Sequence, residues 1–189
     1  MPGPEVPPGN DRTIRGTAIA PLLLAMLASS LMTRTVATCS PADDLEHVVG
    51  LMLDRECGSV VVDKARKVLG IITDRDVCRA AHAAKLPLRA IPARAAMTRP
   101  VVTCKPEDPL LAVAHLMEVK HVRRVPVVDR GKLVGIITLD DIAREVSRIE
   151  SLIERGDEDA SARGVNAYEV GWTLSMLNQR RRRRHQPRA

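Results

Sequence analysis

The chain has 189 residues, 45% of them apolar, with no Phe, one Trp and one Tyr. That length buries a sizeable core in one substantial domain or two small ones; the core must be aliphatic, and an aromatic stacking platform for single-stranded nucleic acid is excluded. The formal net charge of +6 is local: Arg180, Arg181, Arg182, Arg183, Arg184 and Arg188 are six of 29 basic residues, and the 23 that remain balance 23 acids.

Residues 1–30 open with "MPGPEVPPGN", rich in Pro and Gly, for which disorder is expected. "TAIAPLLLAMLASSLM" follows. Glu5, Asp11, four leading prolines and Pro21 weigh against a signal peptide, and the run is too short to span a bilayer. An apolar helix packed on the core or at a dimer contact is expected, with Met26 or Met32 as alternative starts.

From Leu31 the chain repeats itself. "LMTRTVATCSPADDLEHVVGLM" is answered by "AMTRPVVTCKPEDPLLAVAHLM" at an offset of 65, and "GIITDRD" at Gly70 by "GIITLDD" at Gly135. The first repeat is placed at 31–95 and the second at 96–155. Each has a short β run (Val36–Cys39, Val101–Cys104) ended by a residue before Pro. A helix follows, its apolar stripe formed by Leu45, Val48, Val49, Met52 and Leu53 in one copy and Leu110, Ala114 and Met117 in the other. Two β runs are then joined by "DKARK" or "DRGK", read as hairpin turns, the second one residue shorter. A closing helix starts at Asp74 and at Leu139. The fold class is therefore α/β (α+β), two β-α-β-β-α units packed sheet to sheet about a pseudo-twofold axis.

The repeated septet has two readings. Thr-x-x-Asp at a strand-to-helix turn is a capping box, in which Thr caps the helix and the acid returns to the cap's N–H. The same place can serve a ligand: a Thr hydroxyl bonds a phosphate, and a nearby carboxylate accepts ribose hydroxyls.

Two copies of "MT…VVT…P", "RRVPVVD" and "GIIT..D" resemble a tandem pair of cystathionine-β-synthase (CBS) domains, over about 31–150. The resemblance implies two clefts that take an adenosine-containing ligand, AMP, ADP, ATP or S-adenosylmethionine, and a tendency to form homodimers. Carried over by position, the ribose acceptors are Asp76 and Asp141, the neighbouring hydroxyls Thr73 and Thr138. The adenine-side backbone contact is Val102 and, more weakly, Ala37. The phosphate-reaching residues are Arg123 and Arg124, of which only one need face the cleft on a strand. The first copy has Gly58 and Ser59 there, so the Arg123/Arg124 cleft is expected to prefer a phosphorylated ligand and the other an uncharged group or none.

The five histidines have no set spacing to a nucleophile, and no P-loop or dinucleotide fingerprint occurs. A cytoplasmic, non-catalytic sensor acting on a protein partner in trans is expected, with no cofactor required. Cys39, Cys57, Cys78 and Cys104 show no C-x-x-C spacing, so inert thiols in a reducing compartment are expected and no metal site. The extension at 156–189 carries Tyr168, Trp172 and the run Arg180, Arg181, Arg182, Arg183 and Arg184. A solvated tail is weighed there against binding to nucleic acid or an anionic membrane surface, with the repeats then serving as a dimerisation scaffold.

Overall fold

The computed structural model describes Leu23 and residues 25–154. A short helix α1 (Ala28–Leu31) precedes the first unit, which runs β1 (Thr38–Cys39), α2 (Leu45–Asp54), β2 (Ser59–Lys64), β3 (Lys67–Thr73) and α3 (Asp74–Ala84). After a 3-10 turn at Leu88–Ala90 and helix α4 (Ala93–Ala96), the second unit runs α5 (Leu110–Val119), β4 (Arg124–Asp129), β5 (Lys132–Thr138) and α6 (Leu139–Glu154). β1 pairs parallel with β2, and β2 antiparallel with β3; β4 and β5 form the matching antiparallel pair.

The alternation of Val and Ile explains the strands. Val60, Val62 and Ile72 are buried in one core; Val125, Val127 and Ile137 occupy the corresponding places in the other. On α2 the predicted stripe buries Leu45, Val48 and Met52, whereas Leu53 is 72% exposed. Eight residues at ~100° each carry Leu53 about 80° past Leu45, off the stripe. Leu110, Ala114 and Met117 are buried as expected.

Two expectations are corrected. The hairpin turns have equal length, because Ala65-Arg66 joins Lys64 to Lys67 and Arg130-Gly131 joins Asp129 to Lys132. All four residues have positive φ, as a two-residue mirror-image turn requires. Both hairpins slip register at the same place, between Val62 and Asp63 and between Val127 and Val128. The offset of 65 is thus unbroken, and Asp63 is not the counterpart of Asp129. The second correction concerns Val101–Cys104, which does not form a strand. In the first unit Val61 N–H donates to the Ala37 carbonyl at 2.9 Å; its counterpart is Pro126, which has no N–H to give. Cys104 alone keeps its bridge, to Val127.

The units are laced together by exchanged leading segments. Ala28 N–H donates to Asp108 O, and Leu110 N–H to Met26 O, at 2.8 and 2.9 Å. Sixty-five residues on, Ala93 N–H donates to Asp43 O and Leu45 N–H to Ile91 O, at 2.6 and 2.9 Å. Thr33 then bridges Ile136 of β5, and Thr98 bridges Ile71 of β3. The segment before each repeat therefore docks on the other one. Leu23, Ala28 and Met32 belong to the second unit's core, Ile91 and Ala93 to the first. The apolar run near Leu22–Leu27 packs on the core to the extent that it is described: Leu23 is buried, and Leu27 is 41% exposed.

The glycines of the septets make this lacing fit. A Cβ on Gly70 would lie 2.5 Å from Met97 Sδ, and one on Gly135 2.5 Å from Met32 Sδ. Each "MT" thus seats its Met on the glycine of the opposite repeat's "GIIT". Arg66 adds a further tie, its Nε and Nη2 donating to Leu133 O at 3.2 and 2.8 Å.

Candidate functional site

Helices α3 and α6 both start at the edge of a sheet where Thr73 and Thr138 end their strands. Asp76 Oδ2 accepts from the Thr73 N–H at 2.9 Å and from its hydroxyl at 2.6 Å, while Asp76 N–H donates to Thr73 Oγ1 at 3.3 Å. Thr138 and Asp141 repeat the pattern at 2.9, 2.7 and 3.1 Å. The capping box is therefore formed in both copies, and it holds each half-buried carboxylate in a fixed orientation. It consumes one oxygen of each. The remaining oxygens differ: Asp141 Oδ1 is taken by Arg144, whereas among the described residues nothing reaches Asp76 Oδ1.

The adjacent arginines part company, as neighbours on a strand must. Arg123 Nη2 pairs with Asp140 at 3.1 Å across an exposed surface, where such pairs contribute little. Arg124 is half-buried. Its guanidinium crosses to the first repeat and lies against Gly58, where a Cβ would meet Nη2 at 2.6 Å and Cζ at 3.5 Å. Asp74 Oδ2 stands 3.9 Å from the same point, and Asp74 N–H contacts Gly58 O at 3.4 Å. In the sequence Gly58 marks only the place where the first copy lacks the second copy's arginine, and Asp74 only the start of a helix; neither is assigned to the site there.

Val102 and Ala37 are both half-buried. Ala37 has its carbonyl occupied by Val61, but no N–H among the described residues reaches the Val102 carbonyl, because Pro126 stands opposite. Backbone hydrogen bonding is thus open at Val102 and closed at Ala37 on the carbonyl side.

Cys39 and Cys104 are buried and free. Burial pushes both thiols up to about 12, with Asp43 and Asp63 adding to the effect at Cys39 and Asp108 at Cys104, so they stay protonated and inert near neutrality. Among the described residues no group of His, Cys, Asp and Glu could hold a metal, and no helix is long and apolar enough to cross a membrane. Tyr168, Trp172 and the arginine run lie outside the described residues.

Comparison with known proteins agrees with this geometry. Residues 28–83 and 93–148 each match the family model for the CBS domain. An uncharacterized protein of Methanopyrus kandleri is 36% identical over 124 residues, 64% of this chain and 63% of that protein. The CBS domain-containing protein YhcV of Bacillus subtilis is 32% identical over 112 residues, 59% of this chain and 79% of its own length. An inosine-5'-monophosphate dehydrogenase of Methanocaldococcus jannaschii is 34% identical over 119 residues, yet only 23% of that enzyme is spanned. Among solved structures, the CBS domain of a membrane protein from Sphaerobacter thermophilus is 31% identical with a TM-score of 0.59, covering 67% of this chain and 91% of that one. A CBS domain protein from Pyrobaculum aerophilum complexed with AMP has a TM-score of 0.57 at 24% identity, covering 65% and 99%. Two laced repeats, one β-α-β-β-α and one reduced to α-β-β-α, matched twice by one family model over most of the described length, establish that the chain belongs to the CBS-domain family.

Proposed function

We propose that the chain is a cytoplasmic regulatory module that binds an adenosine-containing ligand and acts, as a homodimer, on a protein partner in trans. The ligand class is AMP, ADP, ATP or S-adenosylmethionine. The observation that carries this is the Thr–Asp constellation at the start of α3 and α6: a clamped, half-buried carboxylate beside a hydroxyl, at a helix N-terminus, twice. A carboxylate so held suits a ribose diol, and the helix start suits a phosphate. The Pyrobaculum protein that is complexed with AMP shares this fold, which is compatible with the reading. The homodimer is the element that the family resemblance suggests; a concentration-independent monomer in light scattering would remove it.

The direct test is calorimetric titration of AMP, ATP and adenosine into the wild type and Asp76→Asn, Asp141→Asn and doubly substituted proteins. Losing one charged acceptor should weaken binding at that cleft by about 1.5–3 kcal/mol, roughly tenfold to over a hundredfold. Unchanged affinity in the double variant would return both septets to a purely structural role. A second reading, nucleic-acid or membrane-surface binding through the arginine run, rests on sequence alone; binding that disappears as salt rises, with the nucleotide clefts indifferent, would favour it.

A further inference from the structure

We infer that one side of the first repeat is a docking surface for double-stranded nucleic acid, held through its phosphates without regard to base sequence. This goes beyond the nucleotide reading and rests on residues outside both septets. The neutrality of the chain apart from its terminal arginines conceals an uneven distribution. From Val77 to Pro106 there is no acid, yet the segment carries Arg79, Lys85, Arg89, Arg94, Arg99 and Lys105. Sixty-five residues on, 142–171 hold seven acids and four cations. The positive excess therefore belongs to one copy and is not demanded by the fold.

The structure leaves these cations unneutralised. Arg79, Lys85, Arg89, Arg94 and Arg99 are all exposed, and among the described residues none of the five has an ion pair. Lys105 lies 4.0 Å from Glu107. In the second repeat, by contrast, Arg123, Arg144 and Arg148 pair with Asp140, Asp141 and Glu145. The elements that carry the five adjoin. Arg79 stands two residues from the buried Val77, on the outer face of α3, and Lys85 caps that helix. α3 packs against α4, which carries Arg94, and Thr98, next to Arg99, bridges Ile71 of β3. The acids that border α4 are half-buried and engaged. Asp43 Oδ2 accepts from the Ser40 N–H at 2.7 Å, and Asp44 Oδ1 from the His47 N–H at 2.8 Å.

The chemistry of the segment selects the partner. Four of the five cations are arginines, whose planar fork takes a phosphate by two points. A single strand would call for aromatic side chains on which its bases stack, and residues 77–106 contain none. An anionic membrane would call for apolar side chains to insert, and Leu86 is the one large apolar residue exposed there. A duplex asks only for phosphate contacts.

The test is fluorescence anisotropy of a labelled DNA duplex of mixed sequence, titrated with full-length protein from low to physiological salt. With Arg180, Arg181, Arg182, Arg183 and Arg184 changed to Gln, binding should persist, its logarithm falling with log salt at a slope of about −4.5 for five phosphate contacts. Adding Arg79→Gln, Arg89→Gln and Arg94→Gln should flatten that slope by about 2.7, with the melting temperature retained. An unchanged slope in that folded variant overturns the proposal. So does the absence of duplex binding once the terminal run is replaced, which assigns all binding to the tail. Loss of binding to phosphatidylserine–phosphatidylcholine vesicles on the three substitutions, with duplex binding untouched, overturns it in favour of a membrane. A dimer that the same substitutions dissociate, with duplex binding untouched, overturns it in favour of a contact between copies. The nucleotide reading stands or falls separately, on the Asp76 and Asp141 variants.

Discussion

Gly70 and Gly135 owe their presence to methionines 27 and 103 residues away in sequence, not to their own backbone conformation. Gly70→Ala puts a methyl group 2.5 Å from Met97 Sδ and 2.7 Å from its Cβ, close enough that the flexible end of the side chain cannot resolve the clash alone. Overpacking of this kind destabilises by about 1–3 kcal/mol. Chemical denaturation should show that loss, and Met97→Ala added to Gly70→Ala should cost less than the two changes summed, since they share one contact. The buried cysteines lead to a pH effect. Their thiols ionise near 9.0 when unfolded and are pushed up to about 12 when folded, so the folded state holds protons that the unfolded state releases between those values. Their contribution is complete below pH 9 and is lost as pH rises towards 12. Melting temperatures should fall over that interval, and the fall should flatten in the Cys39→Ala/Cys104→Ala protein.

One proline separates the two sheets. Pro126→Val gives the second repeat the residue type found at Val61 and restores a donor opposite Val102. The new N–H should bond the Val102 carbonyl as Val61 bonds Ala37. The gain of about 1 kcal/mol is offset by the freedom that the unfolded chain regains on losing a proline, so stability should change little. The direct readout is hydrogen exchange, in which the amide at 126 should be protected like that of Val61; rapid exchange would show that the strand fails to extend. The difference was foreseeable, since "SVVV" and "RVPV" stand in plain view, but the run Val101–Cys104 reads as a strand on apolar content alone. What the sequence could not display is which partner a strand needs. The helices fared better: Leu110, Ala114 and Met117 recur on one stripe and are buried together, and the septets mark the starts of α3 and α6 to the residue. The apparent one-residue difference between the hairpins came from aligning Asp63 with Asp129, two identical residues on the turn side of their register slips, although at the offset of 65 Asp63 corresponds to Val128 and Asp129 to Lys64.

At the scale of the molecule, the repeat was legible and the exchange of leading segments was not. An offset of 65 says that Met32 and Met97 are equivalent; it cannot say which core each one enters, because both cores are lined by the same aliphatic residue types. The same blindness applies to Arg124. Its position before "VPVVD" marks it as a candidate for phosphate, and only the arrangement of the two units brings it to Gly58 instead of to the helix that follows it in the chain.

The reciprocal docking of residues 26–33 and 91–98 means that neither half of the chain is complete without material from the other. Suppose a protease cuts once at the exposed stretch Lys85–Leu86. The amino-terminal piece retains the plug for its neighbour's core and lacks its own, and the carboxy-terminal piece is in the converse position. The nicked protein should elute from a sizing column under native conditions as a single species of unchanged size, and separate only in denaturant. After separation each piece should be unfolded alone and regain ordered structure on mixing, in one-to-one proportion. Pieces that drift apart without denaturant would mean that the plugs are dispensable. In covalent terms the molecule is one chain; in folding terms it is a heterodimer that happens to be tethered.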